Sequence, residues 1–286
     1  MFIKQPVKYL AILCFGLISC LLLQKAIAHN HIDPVSYKVY RQSTNTVRVV
    51  TIPHSSVRTV SVKLAEELQP LTDFAIAHNP IAAINAGYFD PVNGETTSHI
   101  VQEGETVADP RTNDRLIDNP DLQPYLSQIL NRSEFRRYQC GTDTRYDITS
   151  HDAPIMRGCR LADSVGGGPQ ILPESTSEAE AFTAYEDGEL IRNAIGETAL
   201  NARSAVAMTD KGDILLATVQ QITPTDSGMS LEELAEFLKQ LGATKALNLD
   251  GGSSTSLYYQ GKVHYGKLDS EGNRVQRPIK SVLVVQ

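Results

Sequence analysis

One stretch of this chain carries a full helix signature. Leu231, Leu234, Leu238 and Leu241 share one face, Ser230 and Glu233 are spaced for a capping box, and Gly242 follows as a stop. It is the clearest helix in the sequence. Most other ordered segments are short runs of Val, Ile, Thr and Tyr closed by Gly, Asn or Asp, which is strand and turn chemistry. With many strands, few helices and no repeating strand–helix–strand unit, the expected fold is α+β, with mixed or antiparallel sheets in a single domain. The 286 residues, 41% hydrophobic, suffice for a sizeable core.

The N-terminus is a different kind of segment. Lys4 and Lys8 precede an apolar run from Tyr9 to Leu23, and Ala26-Ile27-Ala28 supplies small residues where a signal peptidase reads them. Residues 1–28 are therefore expected to be a cleaved signal peptide, leaving a secreted or periplasmic chain of residues 29–286 with no stable membrane span. The alternatives are an uncleaved anchor, for which ~15 apolar residues is short, and lipidation at Cys20, where Leu21-Leu22-Leu23 is unlike the polar start of a lipoprotein. The leader holds Lys4, Lys8 and Lys25 and no acid, so its removal takes the net charge from −7 to −10. A chain so acidic lacks the basic face that nucleic-acid binding needs.

Cys140 and Cys159 remain in the mature chain, an even pair in an exported protein, and are expected to form a disulfide. Metal binding with the intervening His151 is the rival, but the pair lacks CxxC spacing. The seven histidines are scattered without ligand spacing, so neither a metal nor another cofactor is expected.

Along the chain, Ser36 to Ile52 reads as two strands, Arg58 to Leu64 as a third, Thr72 to His78 as a short helix and Ile81 to Asn85 as a strand. Periodicity then fails from about Asp109 to Ser164, which is expected to be a disulfide-pinned insertion with one helix near Pro124 to Leu130. Ser204 to Met208 and Asp213 to Val219 flank an Asp-Lys-Gly turn and make a hairpin. Ala246 to Leu249 is a buried strand, Ser256 to Tyr259 another, and Lys280 to Val285 the last.

Three glycine-containing loops at strand ends could carry chemistry. Asn85-Ala86-Gly87-Tyr88-Phe89-Asp90 gathers an amide, a phenol and a carboxylate, unless it is an ordinary strand-to-loop turn. Gly166-Gly167-Gly168-Pro169 could present backbone N–H groups to an anion, although it lacks the ending of a P-loop. Asp250-Gly251-Gly252-Ser253-Ser254 is the most site-like, since a carboxylate at the end of a buried strand before two glycines is not demanded by packing; an Asx turn is the plain alternative. Arg203, before the small-residue strand Ser204-Ala205-Val206-Ala207, could clamp a phosphate or carboxylate. His99 is either a ligand contact or a solvated loop residue. A Ser253 nucleophile is disfavoured because Gly-x-Ser-x-Gly is absent.

In this order, Ala83-Ile84-Asn85-Ala86-Gly87-Tyr88-Phe89-Asp90-Pro91, Gly166 to Gln170, Ala202-Arg203-Ser204-Ala205 and Leu249 to Ser254 resemble the phosphodiester glycosidase family. The stretch 109–164 resembles the insertion of its bacterial members. The resemblance implies a catalytic domain that releases a sugar joined through its anomeric oxygen to a phosphodiester, here on envelope or exopolysaccharide glycans. The family's pocket motifs fall on Asn85, Gly87, Tyr88, Asp90, Gly168, Arg203, Asp250, Gly251, Gly252 and Ser253; with the neighbouring candidates His99, Gly167, Ser204 and Ser254 read from the loops themselves, Asp250, Asp90 and Arg203 are expected to be catalytic and the others to contact substrate. Chemistry supplies the roles: Asp250 faces the anomeric carbon, Asp90 activates water, Asn85 and Tyr88 hold the sugar, and Arg203 with the glycine-loop N–H groups clamps the phosphate. The alternatives are a non-catalytic envelope glycan-binding protein and a phosphodiesterase, which would more often use a metal cluster.

Overall fold

The computed structural model describes residues 35–286. The expected signal peptide at 1–28, and with it the anchor and Cys20 lipidation alternatives, lies outside the described residues. No helix among the described residues is long and apolar enough to cross a membrane.

Every strand pairing among the described residues is antiparallel. A six-stranded sheet runs in the order β1 (Ser36–Arg41), β2 (Asn45–Ile52), β14 (Ile214–Gln221), β13 (Arg203–Thr209), β15 (Ala243–Asn248) and β10 (Gln170–Leu172). A second sheet has β17 (Lys262–Tyr265), β16 (Ser256–Tyr259), β4 (Ala82–Asn85), β18 (Ile279–Val285) and β3 (Val60–Gln69). A third has β6 (Glu105–Ala108), β5 (Ile100–Gln102), β9 (Arg160–Gly166), β7 (Ser133–Cys140) and β8 (Asp143–Ser150). A separate ribbon pairs β11 (Thr183–Glu186) with β12 (Glu189–Asn193).

Strand alternation decides the layers. Ile214 and Leu216 of β14 join Ile84, Leu257, Leu283 and Val285 of the second sheet and Ile100, Phe135, Ile148 and Val165 of the third in one core between the sheets. Leu215, Ala217 and Val219 point the other way and pack with Leu231, Leu234, Phe237 and Leu238 of the long helix, Leu231–Gln240. In β18 the same rule sends Leu283 and Val285 inward and Val282 and Val284 outward onto Leu71 and Phe74 of helix Leu71–His78. These faces explain why the sequence reads as short apolar strands with few helices: most strands are covered by sheet.

The long helix has the capping box its sequence announces, with Ser230 Oγ accepting from Glu233 N–H and Glu233 Oε2 accepting from Ser230 N–H. The hairpin of β13 and β14 also forms in the expected place. The segment 109–164 departs from expectation. It contains the helix Leu126–Leu130, but also β7, β8 and most of β9, which build the third sheet. Its polar residues hid those strands: Glu134, Arg136, Asp163 and Ser164 are all buried, with Glu134 ion-paired to Arg136 and Arg137 to Asp163. Cys140 and Cys159 are disulfide-bonded with Cα atoms 4.1 Å apart, joining the ends of neighbouring β7 and β9. Closing a loop with a sequence separation of 19 is worth ~3 kcal/mol by chain-entropy arguments.

Candidate active site

The site is made where a strand end of the first sheet meets one of the second. β15 leaves its sheet at Asn248 and continues into Leu249 and Asp250, while β4 leaves at Asn85 and continues into Ala86, Gly87 and Tyr88. Asp250 N–H donates to Ala86 O (2.9 Å) and joins the two tails, while Leu249 N–H donates to Ser204 O (2.8 Å) of neighbouring β13. Gly252 N–H donates to Ala202 O (2.8 Å). At Gly251 a Cβ would lie 3.0 Å from that same carbonyl, so glycine lets the loop approach β13 closely.

A polar cavity of about 230 Å³ opens at this junction, lined by Tyr88, Arg203, Asp250, Gly251, Gly252 and Ser253 among the residues expected from sequence. Sequence reasoning missed Ile195, Asn201, Asn248 and Arg277, which complete the lining. Asn248 left a faint signal as the one amide within the apolar run Ala246 to Leu249, and Arg277, in a loop without periodicity, left none. A larger cleft of about 460 Å³ lies beside Ile52 and Ile214, and none of the expected site residues reaches it.

Asp250 is the carboxylate of the cavity. Burial pushes its pKa up to about 6, against the opposing pull of the nearby Ser254 hydroxyl, the Arg277 guanidinium and the Gly251 N–H. Arg277 donates from Nη1 to Ser253 Oγ (3.0 Å), and its guanidinium sits 4.9 Å from the centroid of the Phe89 ring. Phe89 thus serves the site by seating the cation. Tyr88 is fixed through its hydroxyl, which donates to Gly168 O (2.8 Å) and accepts from Asn248 Nδ2 (2.8 Å). Burial, then the charge of Asp250, pushes the Tyr88 pKa up, so the phenol stays protonated.

Several expected roles change. Asp90 is not in the cavity: its carboxylate accepts from Val92 N–H (2.8 Å) and Arg115 Nε (2.7 Å). Burial alone would raise its pKa, but these partners outweigh it and hold the group below the usual range. Arg203 lines the cavity yet directs its donors at carbonyls, with Nε on Met229 O (3.1 Å), Nη1 on Ile195 O (3.1 Å) and Nη2 on Gly196 O (2.6 Å) and Ala199 O (2.9 Å). Four of a guanidinium's five N–H groups are committed in this way, so Arg203 builds the cavity wall and keeps one donor for a ligand.

The glycine loop likewise has no N–H to offer an anion. Gly166, Gly167 and Gly168 donate to His99 O, Ser133 O and Asn248 O, and Pro169 has no donor. Its glycines answer to crowding: a Cβ on Gly168, at φ +111°, would lie 2.4 Å from Glu180 Oε2 and 2.6 Å from Phe182, and one on Gly167 would lie 2.8 Å from Asn248 O. Gly87 is held inside, its N–H on Ser281 Oγ (3.0 Å), with Gly166 O 3.1 Å from where a Cβ would be. Asn85 and Ser204 are bonded to each other in the interior (2.7 Å), and Ser254 is buried behind the loop. His99 belongs to another cluster, 8% exposed and stacked on His151 at 3.6 Å between ring centroids, beside Asp109.

A carboxylate on the end of a buried strand shares a small polar cavity with a cation and a hydroxyl, groups that can hold an anion and move a proton. The sequence profile of the phosphodiester glycosidase family matches residues 78–286, so the chain belongs to that family and is a glycosidase by class. Among solved structures it is similar to the catalytic domain of zebrafish N-acetylglucosamine-1-phosphodiester α-N-acetylglucosaminidase, auto-inhibited by its pro-peptide. The two are 20% identical, with 90% of this chain and 85% of that one covered at a TM-score of 0.63. It is also similar to a protein of Burkholderia pseudomallei, 15% identical over 84% of this chain and 74% of that one, TM-score 0.59. No curated protein matches the chain.

Proposed function

We propose that this protein is an exported glycosidase that cleaves the bond between a sugar's anomeric carbon and a phosphodiester oxygen, acting on envelope or exopolysaccharide glycans. The carrying observation is Asp250, a carboxylate with a pKa raised to about 6, in a cavity whose other charged side chains are Arg203 and Arg277. In this reading the phosphate lies against Arg277 and Ser253, and the sugar lies toward Tyr88 and Asn248. Water attacks the anomeric carbon, Asp250 takes its proton, and the carbon–oxygen bond breaks with its electrons going to the phosphate oxygen. The leaving group departs as a phosphomonoester, stable as an anion, so little general-acid help is needed and a second carboxylate is dispensable. Export is supported by the leader pattern and by a disulfide that belongs in an oxidising compartment.

The test is hydrolysis of a panel of sugar-1-phosphodiesters in oxygen-18 water, with the products weighed. Label in the free sugar, and an inverted anomer as the first product, supports Asp250 as the base on water. Retention would make Asp250 the nucleophile. Label in the phosphate would replace the glycosidase reading with a phosphodiesterase, and saturable binding without turnover would replace it with a glycan-binding protein.

A further inference from the structure

Asn85 is expected from sequence to hold the sugar, yet its side chain is 1% exposed and its bonds run elsewhere. Oδ1 accepts from Ser204 Oγ (2.7 Å) and from Ser256 N–H (3.0 Å), and Nδ2 donates to the main-chain carbonyl of Asp250 (2.5 Å). The amide's orientation is dictated by these partners. The Ser256 N–H can only donate, so the oxygen must face it, and the Asp250 carbonyl can only accept, so the nitrogen must face that. Ser204 is itself 0% exposed, and its carbonyl accepts from Leu249 N–H (2.8 Å).

From this arrangement we infer that Asn85 is a positioning residue for Asp250, with Ser204 holding Asn85 in register. The peptide groups on both sides of the Asp250 Cα are fixed by the tail of β4: the N–H by Ala86 O, the C=O by Asn85 Nδ2. With both fixed, the direction in which Cα–Cβ projects the carboxylate is set by a strand of the opposite sheet and not by the Asp250 loop, whose two following glycines would leave it free to turn. Asn85 also joins the sheets at that point, since Ser256 lies in the second and Ser204 in the first. The inference rests on Asp250 being the reacting carboxylate.

The experiment uses the mature protein and the sugar-1-phosphodiester it hydrolyses fastest. Asn85→Ala is expected to lower kcat about a hundredfold and Ser204→Ala about tenfold, with KM within about twofold of wild type in both. Asn85→Asp carries the sharper readout. A carboxylate there has its pKa pushed upward by burial and by the Asp250 carbonyl facing its second oxygen, and only its protonated form can donate to that carbonyl. This variant should therefore show a descending alkaline limb that the wild type lacks, recovering activity as pH falls until Asp250 itself protonates. A rise in KM with kcat unchanged would overturn the inference in favour of direct sugar contact. A uniform loss in Asn85→Asp with the wild-type pH profile would overturn it in favour of a purely structural bond. If the wild type hydrolyses no sugar-1-phosphodiester, the failure lies with the proposed activity, and NMR titration of the Asp250 carboxyl in wild type and Asn85→Ala decides positioning by itself. A pKa falling toward the ordinary range in the variant supports it, and an unmoved one overturns it.

Discussion

The turns at Gly166–Pro169 and Asp250–Ser254 look alike in sequence: each follows a strand, each carries adjacent glycines, and each invites a reading as a ligand cradle. The first has all three of its N–H groups bonded to neighbouring carbonyls and glycines that exist because Glu180, Phe182 and Asn248 press against them. The second lines a cavity with a carboxylate, a hydroxyl and two glycines. Glycine in a loop therefore reports close approach of the protein's own backbone or side chains in both cases, Ala202 O at Gly251 included, and the difference lies in which polar side chains travel with it. Asp250 and Ser253 travel with the second, whereas proline travels with the first.

The hardest test of that contrast is Asp250→Asn, expected to lower kcat at least about a thousandfold in steady-state assays. The variant should also be more stable than wild type at pH 8, by roughly 2 kcal/mol in urea titration. The sign follows from the raised pKa: the folded protein holds the Asp250 proton up to about pH 6, the unfolded chain releases it near 4, and wild-type stability from this group is lost as pH climbs between the two. Gly168→Ala should come next, costing about 3–4 kcal/mol or preventing folding, because its Cβ has nowhere to go. Gly252→Ala should cost about 1 kcal/mol, since at φ +58° its nearest neighbour would be 3.8 Å away. Equal losses at the two glycines would erase the distinction.

The two arginines sharpen it further. Arg203→Ala should lose about 2–4 kcal/mol of stability, leaving buried carbonyls without donors. Arg277→Ala should melt within a few degrees of wild type while kcat/KM on phosphodiesters falls about a hundredfold. Activity should rise with pH through about 6 as Asp250 ionises. Asp90→Asn should give the smallest change, within about threefold in kcat and about 1 kcal/mol in stability, and a large activity loss there would return Asp90 to the mechanism.

Much of the fold was legible because it is local. The capping box of Ser230 and Glu233, the Asp-Lys-Gly hairpin and the short apolar runs of β14 and β18 each carry their own instructions. The third sheet was hidden because β7 and β9 bury charged residues, and a pair such as Arg137 with Asp163 forms only once the two strands align, which no periodicity shows. The site divides the same way. Asp250 and its glycines announce themselves, whereas Arg277 is brought in by a loop, and the inward turn of Asn85 depends on Ser204, 119 positions away. For Asp90 and Arg203 the motif showed proximity but not the partners each side chain already has, Val92 N–H and Arg115 for the one and four main-chain carbonyls for the other.

The bonds Arg203 makes have a consequence for how such a protein can diversify. Ile195, Gly196 and Ala199 follow directly after the β11–β12 ribbon, and the guanidinium grips all three from the core side. A change in the ribbon's length or sequence is therefore absorbed before it reaches Asp250. The ribbon is where descendants of this chain could vary in length and sequence without disturbing the arrangement around Asp250.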